Sequence, residues 1–368
     1  MGVCVRVRFE RPTRMFTSEN WTRLRATGAP HLPFIAGLVG AFALSLVLCA
    51  RLLEVWTRDQ SHRVQAVNSL GPETRALVSG SSHVFATLNP AFVSVPMMNL
   101  AAPVCSYVCV EGIVRGNLAK VPHLEALILE YDVVPLFYDT LRAYHGDYRQ
   151  LLELDPEISS MSISAWEKYE LWRDRSLDRS LIGPILRYGK FTPEELIHRW
   201  RGQRHTEDTV VAPGYANGPE TMPPNDDGAA RVARHVREAA GLGELPRNEA
   251  ALRRLLELGM ARHLKLALLR FPHHPSYWAA LPPDWQRAES AVLARLQHDF
   301  PDAFEYWDFG SLPGLAEADY RNGDHINDGA TERVTKLFDE RLTAWLGPIA
   351  QGSASAPTDR QVSRAGKR

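Results

Sequence analysis

Cysteine is scarce, with four residues in a chain of 368, which excludes the disulfide frameworks of small secreted scaffolds. Neither sign of charge is in excess. Forty-two Lys and Arg stand against 43 Asp and Glu, with no basic stripe, so the electrostatic footprint of a nucleic-acid binder is missing. No internal repeat is present. Cys/His clusters at metal-ligand spacing are absent as well. Cys105 and Cys109 lie four apart in "VCSYVCVEGIV" without a Cys or His nearby, a pattern that reads as small buried hydrophobes on a helix rather than a bridge or a metal pair. No metal and no cofactor is expected.

Apolar material is ample, at 45% of the chain, enough for one large core. The first 31 residues carry Arg6, Arg8, Arg11, Arg14, Arg23 and Arg25 against Glu10 and Glu19, and run into "PFIAGLVGAFALSLVLCA", 18 uncharged residues from Pro33 to Ala50. Continued through "RLLEVW", this run reaches the roughly 20 residues that a bilayer core requires, with Arg51 snorkelling and Trp56 at the interface. It reads as one transmembrane anchor over 32–56. The basic arm 1–31 is then cytoplasmic and the rest of the chain periplasmic or extracellular. A cleaved signal peptide fits less well, because the apolar run exceeds the usual length and no A-x-A site follows it. Cys49 in "LVLC" raises lipoprotein processing, but Leu48 is too bulky for such a site. A helical stalk over 57–73 leads to a domain over 74–350, and the polar tail 351–368 reads as disordered.

Within the domain, apolar runs at Ala76–Val78, Phe92–Met98, Leu124–Glu130, Leu264–Phe271 and Phe304–Phe309 read as short buried strands. Segments of helical spacing, such as Ser106–Ala119, Asp284–His298 and Ala330–Trp345, alternate with them. The pattern predicts an α/β fold, a three-layer α/β/α sandwich around a mostly parallel sheet. From Ser159 to Leu258 the rhythm breaks into a polar, mostly helical insertion. Inside it, "APGYANGPETMPPNDDGAA", Ala212 to Ala230, is so rich in Gly and Pro that a mobile loop without regular elements is expected.

The first strand ends on Gly80-Ser81-Ser82 in "ALVSGSSHVFATLNP". Hydroxyls there do not help a core. In an open parallel sheet the turn after the first strand faces the ligand crevice, so a serine opening the next helix is either its N-cap or a nucleophile awaiting a base. His83, the next residue, reads as a solvent or packing residue. Near the other end of the chain, "NGDHIND" places His325 in the loop before a terminal amphipathic helix capped by Asp328, with Val334, Leu337, Phe338, Leu342 and Trp345 on its apolar face. Asp319 and Asp324 stand beside it to orient the ring, although adjacency is a poor position for Asp324 to fold back on its neighbour's imidazole. In "RFPHHPSYW", His273, His274, Tyr277 and Trp278 either line a sugar-sized cleft or plug a loop onto the sheet.

"LVSGSSHVFATLNP", then "VPMMNLA", then "NGDHINDGATERVTKLF" together resemble the SGNH hydrolase superfamily, and within it the membrane-anchored branch of D-alanyl transfer and alginate O-acetylation proteins. The resemblance runs from about Arg75 to Leu346 and implies an SGNH or flavodoxin-like sandwich. It implies Ser82 as nucleophile and His325 as general base, with the amides of Gly80, Ser81 and Ser82, joined by Asn99, at the oxyanion; His273 and His274 stand beside the substrate only in the cleft reading of their segment. Three departures stand out. Asn322 replaces the aspartate three residues before the histidine, the glycine after Asn99 is missing, and "LEYDVVP" stands where a Gly-x-Asn-Asp block is expected. An amide holds an imidazole tautomer but does not stabilise the imidazolium by charge.

The implied activity is that of an extracytoplasmic serine esterase or O-acyltransferase acting on acetyl groups of an envelope or exported polysaccharide, with a multi-spanning membrane acyltransferase as partner. The departures open a second expectation, a membrane-tethered binding or assembly protein of the same fold. A third is that the amphipathic middle region docks onto a partner helix.

Overall fold

The computed structural model describes residues 32–59, 62–102, 105–138, 155–178, 209–212, 215–217, 221–223, 226–239, 241–310 and 312–347. The basic arm, the tail from 351 and much of the 159–258 insertion, where partner docking is expected, lie outside the described residues. The fold is α/β. Its centre is a five-stranded sheet of β1 (Ala76–Ser79), β2 (Met97–Asn99), β3 (Ala126–Glu130), β6 (Lys265–Arg270) and β7 (Glu305–Asp308), in the order β2-β1-β3-β6-β7. Every pair is parallel. Among the described residues two antiparallel ribbons accompany the sheet: β4 (Thr209–Ala212) with β5 (Tyr215–Asn217), and β8 (Tyr320–Asn322) with β9 (His325–Ile326).

Both faces of the sheet are buried, which is why its strands read as continuous apolar runs rather than alternating ones. Leu77, Leu127, Leu129, Leu266 and Leu268 join one core with Val110, Ile113, Leu252, Leu255, Val292 and Leu296, from helices Tyr107–Asn117, Leu245–Ala261 and Pro283–Asp299. Ala76, Val78, Ile128, Ala267 and Leu269 join the other with Val84 of helix Ser82–Thr87 and Val334, Phe338 and Leu342 of helix Asp328–Leu346.

The second strand is shorter and later than its apolar run suggests. Asn89 caps a 3-10 turn over Pro90–Phe92, and extended pairing begins only at Met97. The cap of the last helix is Asn327, whose Oδ1 accepts from the Ala330 amide, not Asp328, and Leu337 is exposed. The expected stalk is partly core, since Ala66 and Val67 of helix His62–Asn68 are buried against the domain. Strand β5 and the start of helix Gly228–Glu238 fall where a loop without regular elements was expected. The end of the insertion, helix Leu245–Ala261, is a crossover helix of the core.

Cys105 and Cys109 form a disulfide, against the expectation of two reduced hydrophobes. Cys105 precedes the helix that Ser106 opens, and off the helix its thiol swings onto Cys109 one turn on. The loop they close is so short that little chain entropy is at stake. Replacing both by alanine is expected to lower unfolding stability by no more than about 2 kcal/mol, read from denaturant melts of the double variant.

The apolar N-terminal segment forms one helix, Leu32–Asp59, on which Phe34, Ile35, Leu38, Val39 and Phe42 are exposed. Among the described residues, no helix is long and apolar enough to cross a membrane.

Candidate functional site

In a doubly wound sheet whose first strand lies second in the row, the chain leaves β1 and β3 in opposite directions and a crevice opens between their carboxyl ends. Those ends carry Gly80-Ser81-Ser82-His83 and Glu130-Tyr131-Asp132. Ser81 is the N-cap of helix Ser82–Thr87. Its hydroxyl donates to Glu130 Oε1 at 2.8 Å and its amide donates to Glu130 Oε2. The carboxylate that ends β3 thus occupies the amide expected to help hold an oxyanion. A Cβ at Gly80 would collide with the Glu130 side chain, so glycine is what lets this carboxylate reach the helix start. Ser82 is the first helical residue, half-buried, and its hydroxyl has no hydrogen bond to His325 among the described residues.

His325 arrives from the other end of the chain on the β8–β9 ribbon, and β9 packs against helix Ser82–Thr87. Its Nδ1 lies 2.8 Å from Asp324 Oδ1 and 3.0 Å from Asn322 Oδ1. Asp324 does fold back on its neighbour, because the tight turn Asn322–His325 is tied by Asn322 Oδ1 accepting from the amides of Asp324 (3.2 Å) and His325 (2.9 Å). Both candidates for orienting the ring are therefore in place, and Asp319 is instead paired with Arg333. Burial dominates the His325 titration and, against the opposing charge of Asp324, holds its pKa down at about 4. The ring is neutral at pH 7. With Nδ1 facing two acceptors it carries its proton there, leaving Nε2 as a proton acceptor.

The ribbon is held by close backbone approach. The Gly323 amide donates to Asp226 O at 2.9 Å and its carbonyl accepts from the His274 amide at 3.2 Å. A Cβ on Gly323 would sit inside contact distance of the Gly228 and Asp227 backbone. Gly323→Ala is expected to cost about 2–4 kcal/mol of stability, as overpacking against immobile backbone does, and to displace Asp324 and His325 with it. A thermal melt of the variant unchanged from the parent would contradict that packing.

His83 is no solvent residue. It is 1% exposed, with Nδ1 2.8 Å from Glu130 Oε1 and 3.8 Å from Asp132 Oδ2, and Nε2 3.7 Å from Asp324 Oδ2. Its ring centroid lies 4.5 Å from that of His273 and 5.1 Å from that of His325. Burial alone would depress its pKa, but the carboxylates of Asp324, Glu130 and Asp132 around it raise it well above the ordinary value. Asp324 is driven the other way. Burial opposes its ionisation, yet His325, His235 and His83 hold it well below the usual carboxylate range. Asp132 is likewise lowered, by His273 against burial.

The remaining expected residues have other duties. Asn99, fully buried, donates to Val84 O and Leu88 O and accepts from the Ala101 amide, so it secures the first helix rather than an oxyanion. His273 is enclosed, with Nε2 2.5 Å from Asp132 Oδ2 and Nδ1 3.1 Å from Asp324 O. His274 caps helix Pro275–Ala280 and reaches Glu317. Tyr277 is buried and Trp278 lies under the Arg270 guanidinium, so this segment plugs a loop onto the sheet instead of lining a sugar cleft.

Glu130, Asp132, His235 and Arg231 escaped the sequence reading. A signal for the first two was present, since "LILEYD" ends an apolar strand on two carboxylates. His235 and Arg231 come from the polar insertion, where no spacing marks them. No protein-family model matches the chain, and no curated protein matches it.

Proposed function

We propose that the chain is a serine esterase or O-acyltransferase with Ser82 as nucleophile and His325 as general base. The observation that carries this reading is the His325 ring, neutral, with Nδ1 between Asp324 Oδ1 and Asn322 Oδ1, beside the helix that Ser82 opens. His325 Nε2 takes the Ser82 proton, Ser82 attacks an ester carbonyl, and Asp324 supports the imidazolium that forms. The acyl group then passes to water or to a hydroxyl acceptor. With the Ser81 amide held by Glu130 and Asn99 engaged by backbone, the oxyanion falls to the remaining amides of the first helical turn. Acetyl groups of an envelope or exported polysaccharide, and a multi-spanning acyltransferase as partner, follow from the resemblance to the SGNH superfamily. Single-pass anchorage, with the catalytic domain outside the cytoplasm, rests on the sequence alone, on the uncharged run Pro33–Ala50 behind its arginine-rich arm.

Glu130 at the Ser81 amide favours a second reading, a membrane-tethered binding or assembly protein that keeps the fold without turnover. A fluorophosphonate separates the two. Phosphonylation mapped to the Ser82 peptide is expected, and an unmodified Ser82 in folded protein supports the binding protein.

The pH dependence carries a further expectation. Because the His325 pKa is depressed, the neutral base persists above pH about 4 and is lost as pH falls through that value. The acid limb of kcat/KM for an acetyl ester therefore sits near pH 4, not near 6.5, and a limb near 6.5 would show that burial does not control the ring.

A further inference from the structure

The cluster around Asp324 holds more imidazole and carboxylate than a serine triad uses. Three histidines surround this one carboxylate, and each has its Nδ1 taken up by a neighbour. His83 uses Glu130 Oε1 at 2.8 Å, His235 uses the Tyr277 hydroxyl at 2.9 Å, and His325 uses Asp324 Oδ1 and Asn322 Oδ1. In His83 and His235 the ring is fixed through Nδ1 to a neighbour and turns Nε2 toward Asp324, at 3.7 and 3.2 Å, which is the outer-shell arrangement of metal-ligating histidine.

Two polar atoms at the centre of the cluster lack a hydrogen bond. His83 Nε2 and Asp324 Oδ2 are buried without a hydrogen bond and face each other at 3.7 Å, and His235 Nε2 is 3.2 Å from the same oxygen. One ligand atom from each of His83, Asp324 and His325 lies within 4.8 Å of the others. A four-coordinate ion with ligand bonds near 2.1 Å separates its ligands by about 3.4 Å, a separation within the span of this set.

We propose that His83 Nε2, Asp324 and a ring nitrogen of His325 bind a divalent transition metal of the zinc class, with His235 at hand as a fourth ligand. An imidazole-rich set with one carboxylate suits zinc or a similar ion better than magnesium or calcium, which take oxygen. His273 is excluded from the set because both its ring nitrogens are engaged. On binding, the ion replaces the Nε2 proton of His83, which leaves to water, while Nδ1–H stays on Glu130. The site goes beyond the esterase reading and has a consequence for it. An ion on either ring nitrogen of His325 leaves the imidazole no lone pair to accept the Ser82 proton, so the metal-loaded chain hydrolyses esters more slowly than the stripped chain.

The full chain, purified in detergent and stripped with chelator, is dialysed against zinc chloride and its bound metal measured. One zinc per chain is expected. His83→Gln abolishes this binding, Glu130→Gln weakens it about 10–100-fold through the outer shell, and His298→Gln, on an exposed helix end, retains it. Cobalt chloride added to the stripped parent is expected to give the visible bands of a four-coordinate ion, a readout that does not depend on any variant folding. A parent that binds no zinc, zinc retained undiminished in folded His83→Gln, or a cobalt spectrum of the hydrated ion alone overturns the site. Fluorophosphonate labelling of Ser82 in the presence of chelator is independent of all three, so failure of the metal site and failure of the esterase reading are told apart.

Discussion

Replacing Ser82 by alanine is expected to lower acetyl-ester turnover at least about 10³-fold, the scale on which loss of an activated serine removes covalent catalysis and leaves only binding and oxyanion stabilisation. The matched control is Ser81→Ala. Ser81 stands next in sequence, yet its hydroxyl is spent on Glu130 and on capping the helix, so its loss is expected to cost about 1 kcal/mol of stability and to leave turnover within about tenfold. The pair separates two meanings of "Gly-Ser-Ser" that composition does not distinguish. If turnover survives in Ser82→Ala and disappears in Ser81→Ala, the nucleophile has been misassigned by one residue. If both variants keep the parent rate, the measured activity does not come from this helix.

The sheet was legible because its strands are buried on both faces and so appear as bare apolar runs. All five strands lie in or at the end of the expected segments, and their parallel pairing follows from the helices between them. The errors have local causes. Pro90 and Pro96 delay β2, because proline supplies no amide to a ladder, and Asn327 outcompetes Asp328 as a cap because its side chain reaches the Ala330 amide. The disulfide leaves no mark in the sequence, because i,i+4 spacing suits a continuous helix and nothing local shows that Cys105 lies before the helix starts.

The candidate site was half legible. Ser82 and His325 stand at chain positions where topology alone predicts exposure to the crevice. What organises the region is only faintly marked, because the two carboxylates that end the apolar strand in "LILEYD" resemble a solvated pair, and His83 looks like a surface residue until three carboxylates are seen around it. Placement of His235 and Arg231 depends on a polar segment returning to the sheet, and pairing over such sequence distances leaves no periodic trace.

Asp324→Asn is expected to lower turnover by about 10⁴-fold, the loss seen when a triad's acid becomes an amide and the wrong imidazole tautomer results. Asn322→Ala is expected to cost far less in rate, about tenfold, since it leaves the charged partner in place, but it removes an acceptor from two backbone amides and so loosens the turn. The ordering follows from charge. At 2.8 Å the Asp324 carboxylate gains interaction energy as His325 becomes imidazolium, whereas the Asn322 carbonyl at 3.0 Å gains only that of a dipole. Asp324 also faces His235, His83 and, at 3.4 Å, the Arg231 guanidinium, so its neutralisation leaves the His83 and Arg231 charges unmatched and a lower melting temperature accompanies the loss of rate. Asn322→Asp discriminates further. A second carboxylate on the same Nδ1 raises the His325 pKa, and the acid limb of kcat/KM moves upward from about 4. Should Asp324→Asn retain parental turnover while Asn322→Ala abolishes it, the amide three residues before the histidine, and not the adjacent acid, is what holds the base.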